Sequence, residues 1–358
     1  MKDKQAVYLG GILFLSAINF LYVAWFFEAN RYLPPPFFYD VNDTFMDFYN
    51  TLYWSGHEGI YDIWRSVYPP LNFLLLKTYQ FLFFDEVSEM WDPSTIRGLE
   101  AGNIIPLILI YSVSLIIAVI ISFKSIMRLK VQFIVFLIVL LSPAFLFAVE
   151  RGNLIILCLP GLSWYIFTKN QISRALAFAI LINLKPYFII FYIVQLLNYK
   201  SQQENKDFLF LSPIFALIIF FFSGLLLKEH FYLVPLNLIG FATNSSQISP
   251  GEALSFPSTI TAFSHFRGLV TEFSIPPIFG HLAKLIVYIY LMKFFLLIYK
   301  HKINFQDLCI FSIIFLTNYS TSTGGYSLLY YIPALALLYA KKDWTILGII
   351  IILSLIHI

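Results

Sequence analysis

Apolar residues run in blocks long enough to cross a bilayer, and this constrains the chain more than any motif in it. The first block extends from Val7 to Phe27, behind the short polar start Met1-Lys2-Asp3-Lys4. A span needs about 20 apolar residues to cover roughly 30 Å of hydrocarbon. The block therefore predicts an anchor helix; a cleaved signal peptide would have a shorter apolar core and a small-residue cleavage site. Further blocks cover 104–123, 131–149, 153–168, 208–227, 281–299, 306–323, 327–340 and 344–358. The run 175–198 is interrupted at Lys185-Pro186. Proline withholds a backbone donor and breaks the helical ladder, so two short helices are expected to meet at Lys185. The expected fold is all-α, a single polytopic integral membrane domain over 1–358 with about 11 membrane helices.

Composition excludes the other classes. Apolar residues make up 59% and charged residues 12% of the chain, against about half and about a quarter in a soluble domain. The 39 Phe and 23 Tyr suit helices that meet lipid and its interfaces. A net charge of +3 with no Lys/Arg-rich tract gives no footing for a nucleic-acid partner. Cys158 and Cys309 both lie inside apolar blocks and read as packing residues. The histidines never stand at ligand spacing with cysteine or another histidine, so no metal and no cofactor is expected.

Topology turns on the segment 68–84, which is apolar but carries Asn72, Lys77 and Gln80 near one helical face. Read as an interfacial helix, it leaves Lys124, Arg128, Lys169, Arg174, Lys300 and Lys341 on the side of Lys2 and Lys4, as the positive-inside rule asks. Read as a span, it sends most of those charges outward. The interfacial reading gives a cytoplasmic N-terminus, a first external loop over 28–103 and a second over 228–280. The short turns at Glu150–Asn153, at Lys185-Pro186 and near 318–326 fall on the same external side.

Polar chemistry gathers on that side. Asp43 and Asp47 are four apart and would share one face of a helix; a carboxylate at the membrane surface can take a proton from an attacking hydroxyl. Solvated loop acids are the plainer reading of both. Arg151 and Lys185 each stand where a helix meets the external face, and an ionisable group at such a depth suggests a function. Glu150 offers Arg151 a local partner, whereas Lys185 has no neighbour in sequence to pair with. A phosphate held by Lys and Arg would suit both the charge and the location. His265 and Arg267 lie together in the second loop.

These residues stand in an order that resembles glycosyltransferase family 87 and related polyprenyl-phosphate-mannose-dependent mannosyltransferases of the GT-C superfamily. The resemblance is carried by Asp43-Thr44-Phe45-Met46-Asp47, Gly56, Tyr61-Asp62 and Tyr68-Pro69-Pro70-Leu71 in the first loop. Glu150-Arg151-Gly152-Asn153, Leu184-Lys185-Pro186-Tyr187, Gly324-Gly325-Tyr326 and Tyr330-Tyr331-Ile332-Pro333-Ala334 follow in the same order. It implies a GT-C-like fold and an inverting single displacement from a polyprenyl-phosphate-linked sugar donor to a glycolipid or glycan acceptor. It implies Asp43 as base with Asp47 second, Lys185, Arg151 and Arg267 around the donor phosphate, and Tyr68, His265, Tyr326 and Tyr330 toward acceptor or sugar. Related members carry Asp-x-Asp where this chain has Asp-x3-Asp, so the choice between Asp43 and Asp47 stays open.

Two other functions compete. An envelope polysaccharide polymerase or ligase would lean on loop arginines, of which the second loop offers Arg267. A lipid-linked-sugar transporter would carry ionisable residues within spans and a repeat between halves, and neither is prominent. Short loops and the lack of a sorting motif point to a bacterial inner membrane.

Overall fold

The computed structural model describes residues 2–30, 34, 45–83, 104–198, 206–244, 289–290, 292–301, 303–319 and 325–341. Within them the chain is helical, and no β-strand occurs among the described residues. Three helices are long and apolar enough to cross a membrane, and a bent pair brings the number to four if it counts as one span. The protein is membrane-embedded and all-α.

Helix α1 (Lys2–Asn30) supplies the first of these spans. Among its described side chains Ser16, Asn19 and Val23 are buried, a stripe at helical spacing, while Phe14, Leu15, Leu21 and Trp25 stay exposed. Such a helix is held by one narrow contact and otherwise needs a lipid solvent. Helix α2 (Met46–Gly56) and helix α3 (Pro70–Phe83) pack on each other. Fourteen residues rise about 21 Å, too short for a perpendicular crossing. Helix α3 buries Asn72 and Gln80 against the protein with Phe73, Leu76 and Tyr79, whereas Lys77 is exposed on another face. The three polar residues of the sequence reading therefore do not share one side, because five residues from Asn72 to Lys77 turn the helix well past a full revolution.

Helix α4 (Ile104–Phe123) is the second long span and lies along helix α7 (Ile155–Phe167), with Ser122 donating to Ser163 at 3.0 Å between them. The intervening block was expected to run unbroken over 131–149. It divides instead into α5 (Leu129–Leu140) and α6 (Pro143–Arg151), bent by 57°. Ser142 caps α6 by accepting from the Phe145 amide at 3.3 Å, and Pro143 takes the first helical position. A cap followed by proline starts a helix and cannot continue one.

Helix α7 is enclosed on nearly every side; Trp164 is its one strongly exposed large residue. Helix α8 (Gln171–Leu184) packs between α7 and the third long span, α10 (Lys206–Leu227). Alanines 175, 177 and 179 let these backbones approach, and the Asn183 amide donates to the Ala216 carbonyl at 3.0 Å. As the sequence foretold, α8 stops at Leu184, Lys185 is extended, and a 3-10 turn over Pro186–Phe188 leads into α9 (Ile189–Leu197). After α10 the chain turns back through a 3-10 turn at Phe231–Leu233 into α11 (Val234–Asn244). The Phe231 ring lies against Gly224, where an added Cβ would stand 2.4 Å from it. Residues 292–300 form α12, followed by α13 (Phe305–Tyr319), a 3-10 turn over Gly325–Tyr330 and α14 (Tyr331–Lys341). The 3-10 turn reaches α6 and α7, and α14 lies on α4, so the late segments close on the early ones.

Candidate functional site

Two linked centres hold most of the residues singled out from sequence. The first begins at Phe45, whose backbone is left-handed (φ 60) and whose amide donates to the Glu150 carbonyl at 2.5 Å. A left-handed residue cannot sit inside a right-handed helix, so α2 starts only at Met46. Asp47 stands in the first turn of α2, where the helix dipole favours a carboxylate. Arg151 donates through Nη2 to Asp47 Oδ1 at 2.5 Å, and Asn153 donates through Nδ2 to Oδ2 at 2.8 Å. Asn153 also uses its Oδ1 to accept from the Ile155 amide at 3.0 Å at the start of α7. Gly152 makes this closeness possible: it ends α6 in the left-handed region (φ 64), and a Cβ there would lie 2.6 Å from Phe48 Cβ. The fully buried Tyr111 of α4 lies within electrostatic range of Asp47, and its hydroxyl has no hydrogen-bond partner among the described residues.

Lys185 forms the second centre. It is 6% exposed and makes no ion pair among the described residues. Its Nζ sits 4.2 Å from the centroid of the Tyr68 ring, a cation–π contact that partly replaces lost hydration. Tyr68 is aimed by Pro69 and Pro70, the latter being the first residue of α3. The Cys158 thiol lies within electrostatic range of Lys185. Tyr187 and Tyr330 join their hydroxyls at 2.7 Å, and Tyr330 is fully buried. The Tyr326 ring packs against Phe147, tilted by 38° with ring centroids 5.5 Å apart. Tyr187 is within electrostatic range of Tyr68, Cys158, Tyr326 and Tyr330, so these groups surround one region near Lys185.

The loop between α2 and α3 is clasped from the other side. Asn237 donates to the Tyr61 carbonyl at 2.8 Å and to the Ser66 carbonyl at 3.1 Å, and Glu229 accepts from the Gly59 amide at 3.2 Å. Asp62 pairs with His230 at 3.1 Å. Desolvation raises the Asp62 carboxyl, but hydrogen bonds from its own amide, from His230 and from the Ile63 amide, with the His230 charge, outweigh it and hold the carboxyl below its usual range. Arg65 and Lys228 are left-handed (φ 49 and φ 60), which a residue with a side chain adopts only where surrounding contacts hold it.

The structure thus brings Asp47 to Arg151, and Tyr68 to Lys185, with Tyr326 and Tyr330 nearby. Arg151 turns to Asp47, 104 positions earlier, as a charge partner. Asp43, His265 and Arg267 lie outside the described residues, as does most of the segment 228–280 that was expected to form the second loop. Sequence reasoning gave no role to Asn153, Tyr111 or Tyr187, and noted Asn72 only as a polar interruption. For Asn153 and Tyr187 the signal was their place inside quoted motifs; for Asn72 it was an amide in an otherwise apolar block. Among the described residues no three His, Cys, Asp or Glu side chains gather as a metal-binding group.

No protein-family model matches this chain, and no curated protein or solved structure matches it.

Proposed function

We propose that the protein is a membrane glycosyltransferase of GT-C-like architecture with about 11 membrane helices. It moves a hexose, mannose foremost, from a polyprenyl-phosphate-linked donor to a glycolipid or glycan acceptor on the external face. The observation that carries this reading is Lys185. A buried ammonium is costly without an anion, and Lys185 is 6% exposed with an aromatic ring for company and no carboxylate among the described residues. A phosphate monoester on an apolar tail supplies the missing charge and belongs in a membrane.

In this reading the acceptor hydroxyl oxygen attacks the anomeric carbon as the bond from that carbon to the phosphate oxygen breaks. The configuration inverts, the hydroxyl proton passes to a carboxylate, and the leaving polyprenyl phosphate gains the negative charge. Lys185 stabilises that charge, and the low-polarity surroundings strengthen the interaction. Both oxygens of Asp47 already accept hydrogen bonds, from Arg151 and Asn153. A proton taken up there would cancel the charge that strengthens the Arg151 contact, which favours Asp43 as the base and gives Asp47 the task of holding the first loop to the 150–153 turn. Arg151, held against Asp47 at the 150–153 turn, is the second cation assigned to the phosphate in this reading.

The test is sugar transfer by the purified full chain from labelled polyprenyl-phosphate sugars into a crude lipid and glycan extract. Transfer by the wild type, lost in Lys185→Ala and in Asp43→Asn, supports the reading. No transfer from any donor, with movement of the carrier lipid across a vesicle, replaces it with a transporter.

A further inference from the structure

We propose that Asn72 is a positioning residue for Lys185, fixing the backbone from which the lysine reaches its anion. The inference rests on the reading of Lys185 as a phosphate-binding group. Leu184 is the last residue of α8, and its carbonyl is one of those a helix C-terminus leaves without an intrahelical donor. Asn72, 1% exposed in the first turn of α3, donates its Nδ2 to that carbonyl from 112 positions away. On the far side of the same peptide the Lys185 amide donates to the Leu181 carbonyl at 2.8 Å. The Lys185 carbonyl in turn accepts from the Phe188 amide at 3.2 Å. Every backbone polar group flanking the Lys185 Cα is therefore engaged, and the residue is held extended (φ −142, ψ 109) before Pro186.

The same end of α3 governs the side chain. Tyr68, four positions before Asn72, presents the ring that faces the Lys185 ammonium. One short segment thus grips the lysine twice, by backbone through Asn72 and by charge through Tyr68. A tie between two helices needs no amide; here Asn72 Oδ1 stays buried with no hydrogen-bond partner among the described residues. That is a cost a hydroxyl would largely avoid. Without the Asn72 donor, the Leu184 carbonyl is left unpaired in an apolar setting, and the chain at Lys185 is free to turn away to satisfy it.

The experiment is a double-mutant cycle on the full chain in detergent, read as binding of a polyprenyl monophosphate by native mass spectrometry. Asn72→Ala is expected to weaken binding about tenfold in the wild-type background and less than about twofold in Lys185→Met. Asn72→Leu, similar in size but without a donor, is expected to match Asn72→Ala and serves if the alanine variant does not fold. Equal losses in both backgrounds would make Asn72 a general structural tie and overturn the inference, while leaving Lys185 as the phosphate ligand. Unchanged binding in Asn72→Ala and Asn72→Leu overturns it in the same way. If the wild type binds the lipid phosphate no better than Lys185→Met, the phosphate reading falls and the positioning role with it.

Discussion

Arg151 and Asp47 meet at 2.5 Å although 104 positions separate them, and their contact joins the start of α2 to the end of α6. The pair is partly buried, with side-chain exposures of 14% for Arg151 and 26% for Asp47. It therefore retains more of its strength than a surface ion pair, and removing one partner takes a counter-charge from a partly buried group. Asp47→Ala and Arg151→Ala are each expected to cost roughly 3 kcal/mol, and the double variant clearly less than their sum. Thermal unfolding of the four proteins in one detergent checks this; strict additivity would show that the two side chains do not act together.

Gly152 is expected to tolerate no side chain. Its left-handed backbone and the 2.6 Å separation of a would-be Cβ from Phe48 act in the same direction. Gly152→Ala should lose at least about 1–3 kcal/mol, more than an ordinary glycine-to-alanine change. A melting temperature equal to or above the wild type would contradict the geometry.

Lys185 is expected to trade stability for function. Lys185→Met removes a buried ammonium that has no ion pair among the described residues and fills the space with an apolar chain of similar length. The variant should melt at or above the wild-type temperature while losing sugar transfer. A large fall in melting temperature would instead mark Lys185 as a structural residue.

The Asp62–His230 clasp sets a dependence on pH. The folded Asp62 carboxyl is held below its usual value, so it contributes stability that is present above the unfolded value, near pH 4, and is lost as pH falls through the lower folded value. Melting temperatures between about pH 3 and pH 6 should fall less steeply for Asp62→Asn than for the wild type. Parallel profiles would remove Asp62 from the account.

The all-α class, the anchor helix, the break at Lys185-Pro186 and the turn at Tyr68-Pro69-Pro70 were legible in the sequence because each follows from local rules. Twenty apolar residues need lipid or a core, and a proline ends a ladder wherever it stands. Local rules also held the signal for the bend at Ser142-Pro143, a cap and an N1 proline, but the apolar run around it was the stronger pattern and hid it. The left-handed Phe45 had no local signal; phenylalanine takes that backbone only because its amide reaches the Glu150 carbonyl.

The sequence by itself determined that this chain is helical and belongs in a membrane, and which ionisable groups stand at helix ends. Only the tertiary structure decided which of those groups answer one another. It brought Arg151 to Asp47, left Lys185 with the Tyr68 ring, and sent Asn72 to the Leu184 carbonyl. The reason is physical. Helical propensity and hydropathy act over a few residues, whereas partners more than a hundred positions apart are chosen by packing, which must satisfy every buried polar group with whatever neighbour the folded chain supplies.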